Sequence, residues 1–94
     1  MNSDLALLET IIVVNMRPHF LAITKEEDYI NIVVSHPSFI LMDMADRVSK
    51  VFDLIKIYDE SLLINNVIVV QAFCADEMDD LFEFWVTDEN NDNY

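Results

Sequence analysis

The densest set of side chains able to do chemistry is a carboxylate block near the end of the chain, Asp76-Glu77-Met78-Asp79-Asp80-Leu81-Phe82-Glu83. Asp76, Asp79, Asp80 and Glu83 recur at i, i+3, i+4 and i+7, and Met78, Leu81, Phe82 and Trp85 repeat that spacing two positions later. Two residues on a 3.6-residue turn is about 200°, so one helix would carry a carboxylate row on one face and an apolar stripe on the other. Asp76 and Glu77 at its start also favour the positive end of the helix dipole. Carboxylates so spaced lie about 5 to 6 Å apart, close to successive phosphates along a nucleic-acid strand. A rigid row of this kind suits a basic groove built to track phosphates.

Other candidate chemistry is thinner. Asp88, Asn90 and Asp92 match the opening of a calcium loop, but Asn93 stands where the turn glycine belongs and no bidentate Glu follows. No specific metal site is expected. His19 and His36 each neighbour a proline, with no Cys or second His at ligand spacing; they read as capping or edge-of-core histidines. Cys74 is the single cysteine and follows an apolar run, so it reads as a buried thiol in an intracellular protein. No residue is nominated as catalytic and no cofactor is expected, because nothing locates a carboxyl with a shifted pKa in a pocket. The chain contains no glycine, which removes phosphate-cradling loops, dinucleotide folds and the nucleophile elbow.

The 94 residues carry 18 acidic and 5 basic side chains, a formal charge of -13. Residues 1–56 contribute -3 of this, and residues 57–94, which contain no Lys or Arg, contribute -10. Direct nucleic-acid binding is disfavoured, since the charge repels phosphate. A hydrophobic content of 53% and ten aromatic residues separate the chain from disordered acidic tails. No apolar stretch approaches the ~18 residues a membrane helix needs, and the start lacks the basic region of a secretory signal. A cytoplasmic protein is expected.

These side chains need elements to hold them, and the pattern predicts a small α+β domain over 1–87 with a short antiparallel sheet, two to three helices and a frayed acidic tail, 88–94. Asn2 or Ser3 caps a first helix bearing Leu5, Leu8 and Ile12, although the β-branched run 11–14 also suits a strand. Segments 19–24 and 29–35 read as strands joined by the polar hairpin loop 25–28. From Ser38 to about Tyr58 the period is helical, with Leu41, Met44 or Ala45, Val48, Val51 or Phe52, and Ile55 in one stripe and Pro37 at the start. Asn65-Asn66 interrupts before a β-branched strand, 67–73. The rival is all-helical, with one long helix over 59–85.

In length, acidity and the 76–83 block with its 88–92 tail, the chain resembles the small phage-encoded DNA-mimic anti-restriction proteins, the Arn-like type. That resemblance implies a homodimer presenting acidic arrays to a nuclease or another DNA-binding protein. Ten Ile and eight Asn with no Gly also fit AT-rich phage coding. The expected function is therefore an inhibitor, not an enzyme, that occupies a DNA-binding site with Asp59, Glu60, Asp76, Glu77, Asp79, Asp80, Glu83, Asp88, Glu89 and Asp92, without a membrane partner. The alternatives are an acidic adaptor or structural subunit held through an apolar surface that includes Leu62, Leu63, Phe84 and Trp85, and an immunity protein for a basic toxin.

Overall fold

Asn2–Met16 forms one helix, α1, that runs straight through the β-branched segment 11–14. Leu8, Ile11, Ile12 and Met16 share one helical face and are all buried, so tertiary burial outweighs the modest helix propensity of Ile and Val. The helix ends at Arg17, whose φ of 49° is left-handed and whose N–H bonds the carbonyl of Val13 at 3.1 Å. Glycine usually takes this position. A chain with none uses an arginine, and Pro18 then prevents continuation.

The computed structural model describes residues 2–74 and 77. Strands β1 (Phe20–Lys25) and β2 (Ile30–Ser35) pair antiparallel from Phe20↔Ser35 to Lys25↔Ile30. The Glu26 N–H closes the hairpin on the carbonyl of Tyr29 at 2.8 Å. Alternation sends Ile30, Ile32 and Val34 into the core and turns Asn31, Val33 and Ser35 to the opposite face.

The long helix expected from Ser38 to Tyr58 is two pieces. Pro37–Leu41 is a 3₁₀ turn capped by His36, and α2 (Met44–Asp59) begins afresh with Asp43 accepting from the Asp46 N–H at 2.9 Å. The break rotates the stripe. Leu41 is 93% exposed and Met44 is also exposed, while the buried residues of α2 are Arg47, Val51 and Ile55. A five-residue helix, α3 (Ser61–Asn65), follows, and then β3 (Ile68–Phe73).

β3 pairs with β2 in parallel, from Ile30↔Ile68 to Ser35↔Phe73, giving a mixed sheet in the order β1-β2-β3. This corrects the expected antiparallel sheet. The helices between β2 and β3 supply the crossover that a parallel pair requires. β3 also overturns the all-helical alternative. The result is a small compact α+β domain with, among the described residues, three α-helices and a three-stranded sheet. Leu8 and Ile12 of α1, Val51 and Ile55 of α2 and Phe39 of the 3₁₀ turn share one core with Ile30, Ile32, Val34, Val70 and Ala72. Asn66 ties the far corner, its amide donating to Asp4 Oδ2 and to the Leu62 carbonyl, both at 3.0 Å. Among the described residues, no helix is long and apolar enough to cross a membrane. The proposed helix over 76–85 lies outside the described residues apart from Glu77, as do the end of the 1–87 domain and the 88–94 tail.

Candidate functional site

Helix α2 carries two stripes. Arg47, Val51 and Ile55 recur every four residues and face the core, whereas Asp46, Ser49, Lys50, Asp53, Leu54 and Ile57 follow the helical period along a neighbouring face. With Asn15 and Met16 at the end of α1 and Met42 before α2, this second stripe lines an open groove of about 490 Å³. Such a volume suits a small ligand or a few side chains of a partner. Its lining is mainly apolar, with Lys50 between Asp46 and Asp53 at i+4 and i−3 spacing.

A hydrogen-bonded chain reaches this groove from the end of β2. His36 Nε2 lies 2.7 Å from the carbonyl oxygen of Met16, which can only accept, so Nε2 carries the proton. Nδ1 is then an acceptor, taking the Ser38 N–H at 3.0 Å and the Ser38 hydroxyl at 2.8 Å. Lys50 Nζ completes the chain by donating to Ser38 Oγ at 3.2 Å. A serine hydroxyl donating to a histidine looks like a nucleophile with its base. Here Nδ1 is already engaged as the cap of the 3₁₀ turn and Nε2 is tied to α1, so the ring serves as a bracket between two elements. His36 therefore fits the expected capping role.

Across α2 from the groove, Arg47 is a buried cation held by three acceptors. Its Nε donates to the Met42 carbonyl at 2.9 Å, and its Nη1 donates to the Ala72 carbonyl at 3.2 Å and to Glu77 Oε1 at 2.7 Å. Glu77 Oε1 also accepts the Cys74 N–H at 2.8 Å. That backbone bond, followed by the Arg47 guanidinium and the Cys74 thiol, holds the Glu77 carboxyl below its ordinary range, against a small opposing effect of burial. Cys74 is a buried free thiol, as its apolar context implied. Among the described residues, no group of three or more His, Cys, Asp or Glu could hold a metal ion.

Of the ten carboxylates nominated as a binding surface, the described residues include Asp59, Glu60 and Glu77. All three have internal partners. Asp59 accepts from the N–H and hydroxyl of Ser61, the first residue of α3. Glu60 lies 3.9 Å from Lys56 Nζ, one turn back. Glu77 is bound to Arg47. Arg47 and Asp59 are twelve residues apart on one helix, about 18 Å along its axis, so Glu77 and the Asp59/Glu60 pair sit near opposite ends of α2. Asp76, Asp79, Asp80, Glu83, Asp88, Glu89 and Asp92 lie outside the described residues. Sequence reasoning missed the groove and the Arg47 bracket. The charged pattern Asp46-x-x-x-Lys50-x-x-Asp53 at helical spacing was the available signal for the groove.

No family model matches the chain, and no curated protein matches it in sequence. A solved structure does match in fold: BolA1 from Arabidopsis thaliana superposes with a TM-score of 0.64 at 14% identity, over 79% of this chain and 94% of that one. The fold is therefore BolA-like. This finding contradicts the reading as an Arn-like DNA-mimic inhibitor of phage origin, and the anti-restriction function falls with it. The alternatives gain no support from the match either. The apolar surface invoked for an adaptor is also partly used up, because Leu62 is buried and Leu63 packs against the core. The misreading came from treating net charge as a shape, although charge alone informs on solubility and association and not on fold.

Proposed function

We propose that the chain is a non-catalytic binding domain of BolA-like fold that takes a short segment of a partner protein into the groove between α1 and α2. The observation that carries this reading is the second stripe of α2, which leaves Leu54 and Ile57 on an open concave surface beside Asp46, Lys50 and Asp53. An apolar side chain of the partner fills the groove floor, in the helix-in-groove manner of many peptide receptors. Basic residues flanking it meet Asp46 and Asp53, and the chain's charge of -13 repels acidic segments while steering basic ones. A structural role suits His36, whose two ring nitrogens hold the end of α1 and the 3₁₀ turn together. The buried free Cys74 fits a reducing compartment, and we place the protein in the cytoplasm.

The test is amide NMR of the full chain titrated with an acetylated helical peptide that carries leucines at i, i+3, i+4 and i+7 and lysines between them, against the same peptide with glutamate for lysine. The lysine peptide should move the amide signals of Met16, Met42, Ser49, Lys50, Leu54 and Ile57, and Asp53→Lys should weaken it several-fold. Shifts centred on Asp59 and Glu60, or equal response to both peptides, would dispose of the groove as the binding surface.

A further inference from the structure

Asp46, Lys50, Asp53 and Ile57 stand at i, i+4, i+7 and i+11 along α2, and all four line the groove. Alternating steps of four and three are the spacing of a seam on which a second helix packs. From Asp46 to Ile57 the seam covers about 16 Å of helix axis, roughly three turns. Met16, Met42, Leu54 and Ile57 supply an apolar floor, so affinity has a source that does not depend on charge. Charged residues within a seam act differently. They fix the register of the helix that covers them, because a wrong register brings like charges together. Here the signs run minus, plus, minus.

Lys50 is the informative member. Asp46 and Asp53 each stand one turn away from it, at the spacing of helical ion pairs. Among the described residues, however, the Lys50 ammonium pairs with neither. It is turned to Ser38 Oγ at 3.2 Å, Ser38 is held by His36 Nδ1 at 2.8 Å, and His36 Nε2 is fixed on the Met16 carbonyl at 2.7 Å. This chain of bonds holds the cation apart from its two acidic neighbours, so three separate charges face an occupant. An ammonium has three N–H donors, and among the described residues Ser38 takes one. We infer that the groove selects a helical segment in which an acidic residue is flanked, one turn to either side, by basic ones, and that Lys50, positioned by Ser38 and His36, sets this preference. The inference rests on the groove being the binding surface and names the charge order of what fills it. It runs against the chain's overall charge of -13, which by itself favours a wholly basic segment.

Two helical peptides separate these alternatives. They share their leucines and the lysines opposite Asp46 and Asp53, and differ only opposite Lys50, with glutamate in one and lysine in the other. Binding to the full chain is followed by fluorescence anisotropy in 0.15 M salt, where exposed charges more than about 8 Å apart are largely screened. The glutamate peptide should bind roughly five-fold tighter, the scale of an exposed attraction exchanged for a repulsion. Lys50→Glu should reverse the order. Ser38→Ala, which releases the ammonium from its bracket, should narrow the preference toward unity. Both positions are exposed, and far-UV circular dichroism should show the parent fold in each variant. Equal binding of the two peptides, or a preference for the lysine peptide, would overturn the inference and leave the groove as the binding surface. So would a preference for glutamate that survives Lys50→Glu. Binding of neither peptide would remove the groove reading, and this inference with it.

Discussion

The two ends of α2 treat charge in opposite ways. At the first end Arg47 is buried and each acceptor it reaches belongs to a different part of the fold: the turn before α2, the end of β3, and residue 77. At the far end Lys56 and Glu60 are exposed, 3.9 Å apart and one turn from each other, and Asp59, among the described residues, serves its near neighbour Ser61. One end converts charge into connections between elements distant in sequence, and the other holds local pairs that water can replace. The number of charges at each end says nothing about their value. What differs is the burial of the groups and the sequence distance they span.

The largest test of that contrast is Arg47→Met, which keeps most of the side-chain volume and removes the donors. The carbonyls of Met42 and Ala72 lose a partner and Glu77 loses its cation. Unpaired buried acceptors cost about 1 to 3 kcal/mol each, and breaking a buried pair about 3 to 5. With Glu77 44% exposed, the lower value is appropriate, and the expected loss is about 3 kcal/mol in urea unfolding. For a domain of this size that lowers the melting temperature by roughly 15 °C. A loss below 1 kcal/mol would show that the bracket adds little to the fold.

A smaller effect belongs to Glu77 at the connected end. Its folded pKa is lowered from 4.5, first by the Cys74 backbone N–H and then by Arg47. A depressed carboxyl pKa contributes stability that is complete above the unfolded value and is lost as pH falls through the folded one. The acid limb of the stability curve, below about pH 4.5, should therefore be shallower in Glu77→Gln than in the parent. Stability measured by urea unfolding from pH 7 down to pH 3 tests this, and identical slopes for Glu77→Gln and the parent would remove Glu77 from the connected end.

Most of the local structure was legible in the residues, and most of the long-range structure was not. The β1–β2 hairpin showed because Ile30, Ile32 and Val34 alternate and a polar stretch precedes them. The split of the long helix was missed because Leu41 continues the helical period, whereas Asp43, a good N-cap, restarts the helix in a new rotational phase. The parallel pairing of β3 depends on which edge of β2 is open after the crossover, and no residue in 68–73 records that. Arg47 entered the sequence reading only through the net charge of residues 1–56, since arginine is rarely buried and two of its three acceptors are backbone carbonyls that any sequence would offer. At the candidate site, Asp46, Lys50 and Asp53 were visible as charges. The concavity that makes them a site arises from α1 meeting α2 and is a property of packing alone.

The smallest effect is the most exacting test of the contrast. Lys56 and Glu60 form an i, i+4 pair, in the orientation opposite to the favourable one with the acid toward the helix start. Both side chains are well exposed, so the attraction acts through water and salt, and each loses rotamer freedom when held. Lys56 also sits in the last turn, where a cation complements the helix dipole for a few tenths of a kcal/mol. Lys56→Ala therefore removes two weak terms while adding the better helix propensity of alanine. The expected change in urea unfolding is at most about 0.5 kcal/mol, and it should vanish in 0.5 M salt, where the Debye length is only about 4 Å. A loss of about 2 kcal/mol or more, undiminished by salt, would show that the far end of α2 is tied as firmly as the first.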